Sequence, residues 1–427
     1  MRKTTLVKGS DVYTAGGLRK ADVLVEGTRI TRIADQITPT DQMEIIDAEG
    51  LTLLPGLTDL HVHFREPGFE YKETVAGGAE AARAGGFTTV CTMPNLKPAP
   101  DTLKHLQPQL DAIAAQDKVQ VLPYATITRQ RIGEETLADY AELTPWVAGF
   151  SDDGSGVQSE DVMRAAMKRV ATTGKILAAH CEVNELLRGG YIHDGAYARF
   201  NNHKGICSES EWREVERDIN LARETGCRLH ICHISTAESV ELVRRAKREG
   251  LPVTCETAPH YLWFTDEDLS NEGRWKMNPP IRSEYDRRAL LMGVKDGAID
   301  AIATDHAPHT AEEKGKDLRQ SAMGVVGLET AFPAIYTRLV EQGRTDLKRV
   351  VELMSLTPRR ILGLPGFESG GVAEGDPAML TLVDLNAVRK VDSSRFHGKG
   401  RSTPFDGMEL KGWPVATICR PAEDEEK

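Results

Sequence analysis

The 427-residue chain has no run approaching the ~20 apolar residues of a membrane-spanning helix. Its first residues, MRKTTLVKGSDVY, lack the apolar centre of a secretory signal. Cysteine pairs are missing as well. Cys91, Cys181, Cys207, Cys227, Cys232, Cys255 and Cys419 include no C-x-x-C, and seven is an odd number, so neither a disulfide framework nor a thiolate metal site is expected. Buried free thiols in a reducing, cytoplasmic compartment are the expectation. Basic charge is in short supply, with 53 Lys+Arg against 64 Asp+Glu and a formal charge of −11. That balance excludes a protein whose main partner is nucleic acid or an anionic membrane, but not a small anionic substrate, because binding depends on local charge. No strand-like run leads into G-x-G-x-x-G or a P-loop, which removes the usual marks of a doubly wound nucleotide-binding sheet.

What is present is ordered by period. At 40% apolar and 27% charged the composition is globular, and the length allows two to four domains or one large α/β barrel with an accessory unit. Residues 1–54 read as short strands (DVLVEG, RITRIAD, MEIIDAEGLTLL), and residues 365–427 read likewise in MLTLVD and PVATICR. Across 55–364, apolar runs alternate with segments of helical period. Strands are expected near Leu57–Phe64, Phe87–Met93, Val119–Ala125, Val147–Ser151, Lys175–Cys181, Arg228–Ile234, Pro252–Thr257 and Ala298–Thr304. Helices follow most of them; in SEDVMRAAMKRV, Val162, Ala165, Ala166 and Val170 form an apolar stripe. Eight such units imply a (β/α)8 TIM-type barrel over 55–364. The two terminal segments, too short to stand alone, are expected to join as one small β-sandwich domain.

Functional residues of a barrel gather at the C-terminal ends of its strands. Those ends hold His61 and His63 in DLHVHFRE, two apart and on one face, then Asn95, Asp152 and Asp153, His180, His233, and Asp305. One strand histidine is ordinarily a packed core residue. Four histidines with aspartates at matching ends of five strands are a metal-ligand set for Zn²⁺ or a similar divalent ion. The set is too large for one zinc with an open position. Two metals bridged by a carboxylate and a hydroxide would use it fully, and such a pair, ~3.5–4 Å apart, creates a nucleophile at neutral pH. Asp305 is then placed to carry a proton to a leaving nitrogen, and hydrolysis is the reaction class. Arg65 shares the face of the HxH pair and, with Asn95 and His309, makes a carboxylate-binding set. Spacing alone leaves Asp152 and Asp153 both open as the bridge. Among the other histidines, His230 is expected to point away from His233 and pack. His105, His193, His203 and His397 are expected at the surface, and His260 and His306 as groups orienting ligands. AEDEEK reads as a solvated tail.

HVHFREPG, TMPN, FSDDG, AAHCE, CHIS, MNPPIR, ATDHAPH, GVVGLET and STPFDGMELKG, in this order from Leu54 to Trp413, resemble the longer, class I dihydroorotases of the amidohydrolase superfamily. The resemblance implies reversible interconversion of N-carbamoyl-L-aspartate and L-dihydroorotate in pyrimidine synthesis. It implies two zinc ions, one on His61, His63 and Asp305, the other on His180 and His233, with Asp153 and a hydroxide bridging. It makes Asp305 the general base and acid, puts Arg65, Asn95 and His309 on the substrate carboxylate, and puts Asn278 with Val325 or Val326 at the ring. The stretch His309–Met323 reads as a mobile lid. Leu96 and Met277 depart from the family's usual Thr and Val at no chemical position. Hydantoinases, dihydropyrimidinases and allantoinases bridge their metals with a carboxylated lysine, and FSDDG offers none. A homo-oligomer, a dimer, is expected. Some relatives associate with aspartate transcarbamoylase, on which this sequence is silent. The alternatives are another cyclic amidase and an inactive scaffold homologue.

Overall fold

The computed structural model describes residues 4–134 and 136–420; the tail AEDEEK lies outside the described residues. The chain begins in strands because its first segments are rich in branched residues at alternating positions. β1 (Thr4–Thr14) turns at Gly17, at φ 101°, into antiparallel β2 (Gly17–Glu26), followed by β3 (Arg29–Ala34). β4 (Met43–Asp47) and β5 (Thr52–Pro55) both lie parallel to β1, at different registers.

Two residues after β5 the barrel starts. Its strands are β6 (Leu57–Val62), β7 (Phe87–Thr92), β8 (Gln120–Ala125), β9 (Gly149–Phe150) and β10 (Ile176–Ala179). A short pair, β11 (Ile192–His193) and β12 (Gly205–Ile206), stands outside the barrel. β13 (Leu229–Ile231), β14 (Val253–Thr257) and β15 (Ala301–Ile302) complete it. The eight strands are hydrogen-bonded in chain order, all parallel. Each expected strand is found, shorter by one to three residues at one or both ends.

Closure of this sheet depends on side chains. β15 and β6 meet through one bridge, Val62 to His306, with the His63 N–H donating to the His306 carbonyl at 2.8 Å. The buried Asp59 carboxylate reinforces the seam by accepting the N–H groups of His61 at 3.0 Å and Thr304 at 3.1 Å. Leu60, Cys91, Tyr124, Ile176, Ala178, Cys232 and Ala301, from six of the eight strands or the residue just beyond, pack together as the barrel filling. All seven cysteines are free thiols, five of them buried.

The helices cover the outside. The helix Glu160–Ala171 starts where Ser159 Oγ accepts the Val162 N–H, and buries Val162, Met163, Ala166, Met167 and Val170. Ala165, expected in that stripe, is exposed. At 100° per residue the five buried positions centre on a direction that Ala165 faces away from. After the barrel, β16 (Ala378–Lys390) pairs antiparallel with β5 and with β17 (Glu409–Arg420). The terminal segments thus form one seven-stranded, mostly antiparallel sheet, with bulges in β1, β3 and β16 where such a sheet bends. Among the described residues no helix is long and apolar enough to cross a membrane.

Candidate active site

The strand ends bring six ligand-type side chains to one buried point. His61 comes from β6 and His63 from just beyond it, Asp153 from the turn after β9, His180 and His233 from just beyond β10 and β13, and Asp305 from beyond β15. The Asp153 carboxylate lies 3.4 Å from His61 Nε2, 3.6 Å from His63 Nε2, and 3.5 Å from both His180 Nδ1 and His233 Nε2. Asp305 Oδ1 is 3.0 Å from His63 Nε2 and 3.6 Å from His61 Nε2. Burial works to raise the Asp305 carboxyl, but the His63 hydrogen bond and the charges of His61, His63 and His233 hold it below the ordinary carboxylate range. Arg65, His233 and Asp305 sit at φ 32°, 33° and 47°, a left-handed backbone that non-glycine residues rarely adopt. At all three the chain leaves the regular extended conformation of the strand.

His230 illustrates the consequence. Strand spacing puts it opposite His233, but the left-handed backbone at His233 brings both rings to the barrel interior. His230 Nε2 is 3.2 Å from Glu256 Oε2, and Glu256 Oε1 is 2.9 Å from His61 Nδ1. Glu256 therefore fixes the His61 ring with Nε2 toward Asp153. Burial favours the protonated acid, yet hydrogen bonds from His230 and His61 hold the Glu256 carboxyl down to about 2. Glu256 was not anticipated, although an acid inside the apolar run PVTCET was its signal. Asn95 does the same for His63, its Oδ1 2.8 Å from Nδ1, and its amide nitrogen lies 3.4 Å from Asp153. Glu182, also unanticipated, is 3.6 Å from His180 Nε2 and accepts the Asn278 amide at 2.9 Å.

The neighbouring aspartates have opposite fates. Asp152 turns down and accepts the N–H groups of Ile127 at 2.8 Å and Thr128 at 3.2 Å, together with the Thr128 hydroxyl. Only Asp153 faces the histidines.

Above the cluster is a cavity of about 210 Å³, walled by Arg65, Asn95, Asn278, His309, Met323 and Gly324 and floored by every member of the cluster except His61. Arg65 spans from the Pro308 carbonyl (Nε, 3.4 Å) to His309 (3.5 Å), and burial pulls its guanidinium down to about 10, still protonated at neutral pH. His309 donates from Nε2 to the Met323 carbonyl at 2.8 Å and accepts from Lys72 at 3.2 Å. Burial and the charges of Arg65 and Lys72 push it down to about 3, so it is neutral. Val325 and Val326 do not line the cavity. They are tied into the closing seam, the Val325 carbonyl to the Ala307 N–H at 2.8 Å and the Val326 N–H to the Ser402 carbonyl at 2.9 Å. Met323 and Gly324 take their place; a Cβ at Gly324 would come within 2.8 Å of Ala307 Cβ.

The segment 309–323 lies across the mouth and is anchored there by Lys314, whose buried amine donates to the carbonyls of Lys276 (2.9 Å) and Ala322 (2.8 Å). Burial pushes this amine down to about 7, and a neutral amine has two N–H bonds for these two acceptors. His193, expected at the surface, is buried 3.4 Å from Arg282, because the loop carrying it folds back over Arg282. His203 is half-buried against Tyr191, while His105 and His397 pair with Asp101 and Glu329. His260 is buried, and His306 accepts the Gly327 N–H at 3.2 Å.

The donor set fits divalent metal. His61, His63 and Asp305 bring ligand atoms within 4.8 Å of one another, as do His61, Asp153 and His233. His61 Nε2 and Asp153 Oδ1 are buried with no hydrogen-bond partner, a costly state that a cation between them relieves.

Comparison with known proteins agrees with the geometry. The Dihydro-orotase-like family profile matches residues 50–239. A dihydroorotase of Bacillus subtilis is 45% identical over 97% of this chain and 96% of its own length. The chain belongs to the dihydroorotase family. Another member, from Listeria monocytogenes, is 46% identical over the same shares of the two chains. Among solved structures, the L-hydantoinase of Arthrobacter aurescens superposes with a TM-score of 0.85 at 28% identity, over 98% of this chain and 95% of that one. The dihydropyrimidinase of Brevibacillus agri gives 0.84 at 21% identity, over 98% and 94%, a likeness of fold alone. Family membership makes this chain a cyclic amide hydrolase.

Proposed function

We propose that the protein interconverts N-carbamoyl-L-aspartate and L-dihydroorotate, the ring-closing step of pyrimidine synthesis. The observation that carries this reading is the Arg65 guanidinium in the wall of a cavity floored by the imidazoles of His63, His180 and His233 and the carboxylates of Asp153 and Asp305. A charge-bearing fork there recognises a carboxylate that both substrates keep throughout the reaction. His61, His63 and Asp305 would hold one zinc and His180 and His233 a second, with Asp153 between. When bound, such a pair polarises the scissile carbonyl and supplies a hydroxide-strength nucleophile at neutral pH. No lysine lines the cavity among the described residues, which favours the carboxylate of Asp153 as the shared ligand.

The chain's own groups then do the following. Arg65 and Asn95 hold the carboxylate, and neutral His309 buttresses the Arg65 side chain. Asn278, steadied by Glu182, faces the ring. Asp305, kept as a carboxylate by its imidazole neighbours, takes the proton of the attacking water at its free oxygen. As the ring C–N bond breaks, it passes that proton to the leaving nitrogen. Ring closure runs the same steps backward.

Arg65→Ala should abolish measurable turnover of carbamoyl aspartate while leaving the metal content near two per chain by elemental analysis. Normal turnover by that variant would remove the carboxylate assignment. The kinship to hydantoinases supports one second reading, a cyclic amidase for uncharged rings. Faster hydrolysis of hydantoin than of dihydroorotate by the purified protein would establish it.

A further inference from the structure

Beyond the anchored segment lies a second cleft of about 540 Å³, and His309 stands in the walls of both spaces. Its charges run against the trend of the molecule. The chain carries −11 overall, yet this cleft is lined by Arg274, Lys314, Lys316, Lys399 and Arg401 against Glu272 and Asp317. Arg274 is neutralised by Glu272 at 3.0 Å, and the Lys314 amine is turned inward. The remaining three cations have no carboxylate partner among the described residues: Lys399 Nζ donates to the Glu70 carbonyl at 2.6 Å, and Arg401 to the carbonyls of Gly398 and Gly400. Lys316 is exposed and makes no side-chain contact of this kind. The carboxylate beneath them, Glu73, is buried and occupied by the backbone N–H groups of Lys399 and Thr74.

We propose that this cleft is the vestibule through which anionic substrate reaches the cavity, and that Lys316, Lys399 and Arg401 draw dicarboxylates in preference to monocarboxylates. The identity of that dicarboxylate as carbamoyl aspartate rests on the reaction proposed above. Cationic walls of low dielectric raise the local concentration of an anion, against the repulsion of an acidic surface. The field acts on each charge of the ligand, so its Boltzmann factor for a dianion is the square of that for a monoanion. Salt collapses both, because the screening length falls below the width of the cleft.

The experiment is the double variant K316E/K399E beside a control, K104E/K168E, of equal net charge on the helices Leu103–Ala114 and Glu160–Ala171. Affinities for succinate and butyrate, four-carbon probes of charge −2 and −1, are measured by calorimetry at low and high salt. The cleft variant should lose about ten-fold in succinate affinity and about three-fold in butyrate affinity at low salt, both losses shrinking at high salt. Its kcat/KM for dihydroorotate should fall with the same salt dependence, kcat being retained. Equal losses for the two probes, losses that persist at high salt, or the same losses in the control would overturn the vestibule. A wild type that shows the binding pattern without turning over dihydroorotate would uphold the vestibule and overturn the reaction. K316E alone, at an exposed position, repeats the test with no backbone carbonyl left unpaired.

Discussion

On the floor of the cavity, His61 is pinned by Glu256 at 2.9 Å and His63 by Asn95 at 2.8 Å, each partner leaving one ring nitrogen turned inward. On the rim, Arg65 is held by longer contacts of 3.4 and 3.5 Å to loop atoms, and the segment over it is fastened to other loops, by Lys314 to the Lys276 carbonyl, by Lys276 to the Arg319 carbonyl at 3.0 Å and by Lys72 to Glu313 at 2.8 Å. The floor is built on strand ends whose positions are fixed by the sheet. The rim is built on loops. Rigid placement suits groups whose spacing must match a metal, while a looser rim can admit and release a substrate. Mutations on the floor should therefore act on chemistry and metal together, and mutations on the rim on binding and local stability.

The sharpest test is Asp305→Ala, which should lower turnover about 1000-fold with little change in thermal unfolding. Ultraviolet loss of dihydroorotate provides the readout, and a loss under ten-fold would take Asp305 out of the proton path. Glu256→Gln comes next. It touches no substrate, but by freeing the His61 ring it should cost about 10- to 100-fold in metal affinity and activity together, measured by chelator competition and rate. A variant with lost activity and intact metal affinity would show that the floor does not depend on its partners. Asp152→Asn separates the two adjacent acids: metal content and turnover should persist, while denaturant unfolding reports about 1–3 kcal/mol of lost stability from the weakened loop contacts. Metal loss in that variant would exchange the roles of Asp152 and Asp153.

The smallest effect belongs to the rim and is read through pH. The Lys314 amine is lowered from an ordinary 10.5 to about 7 by burial. Between those values the unfolded chain binds more protons than the folded one, so unfolding free energy rises with pH through that window. In Lys314→Met this increment should be missing, and chemical denaturation at pH 7 and pH 10 should show the wild type gaining relative to the variant. No relative gain would mean that the amine stays charged in the folded protein.

Much of the floor was legible because strands obey a period of two and barrels expose their strand ends on one face. The alternation gave His61 with His63, and the ends gave His180, His233 and Asp305. The period failed where the backbone becomes left-handed. His230 packs as expected, fully buried, but what it packs against, Glu256 and through it His61, no alternation could name. The helical stripe failed at Ala165 for a milder reason, since four positions do not fix the centre of a face. Val325 and Val326 follow the wall residue Gly324 directly in the chain yet do not line the cavity, a distinction that no local pattern carries.

The sequence by itself determined the class of fold, the ligand types and their order around the barrel, because these follow from periodicity and from the chemistry of imidazole and carboxylate. Tertiary structure decided the rest. It chose Asp153 over Asp152, joined Glu256 to His61 across 195 positions of chain, and brought Lys316, Lys399 and Arg401 of an acidic protein to one cleft. Those outcomes depend on which distant segments meet, and burial and electrostatic fields exist only once they have met.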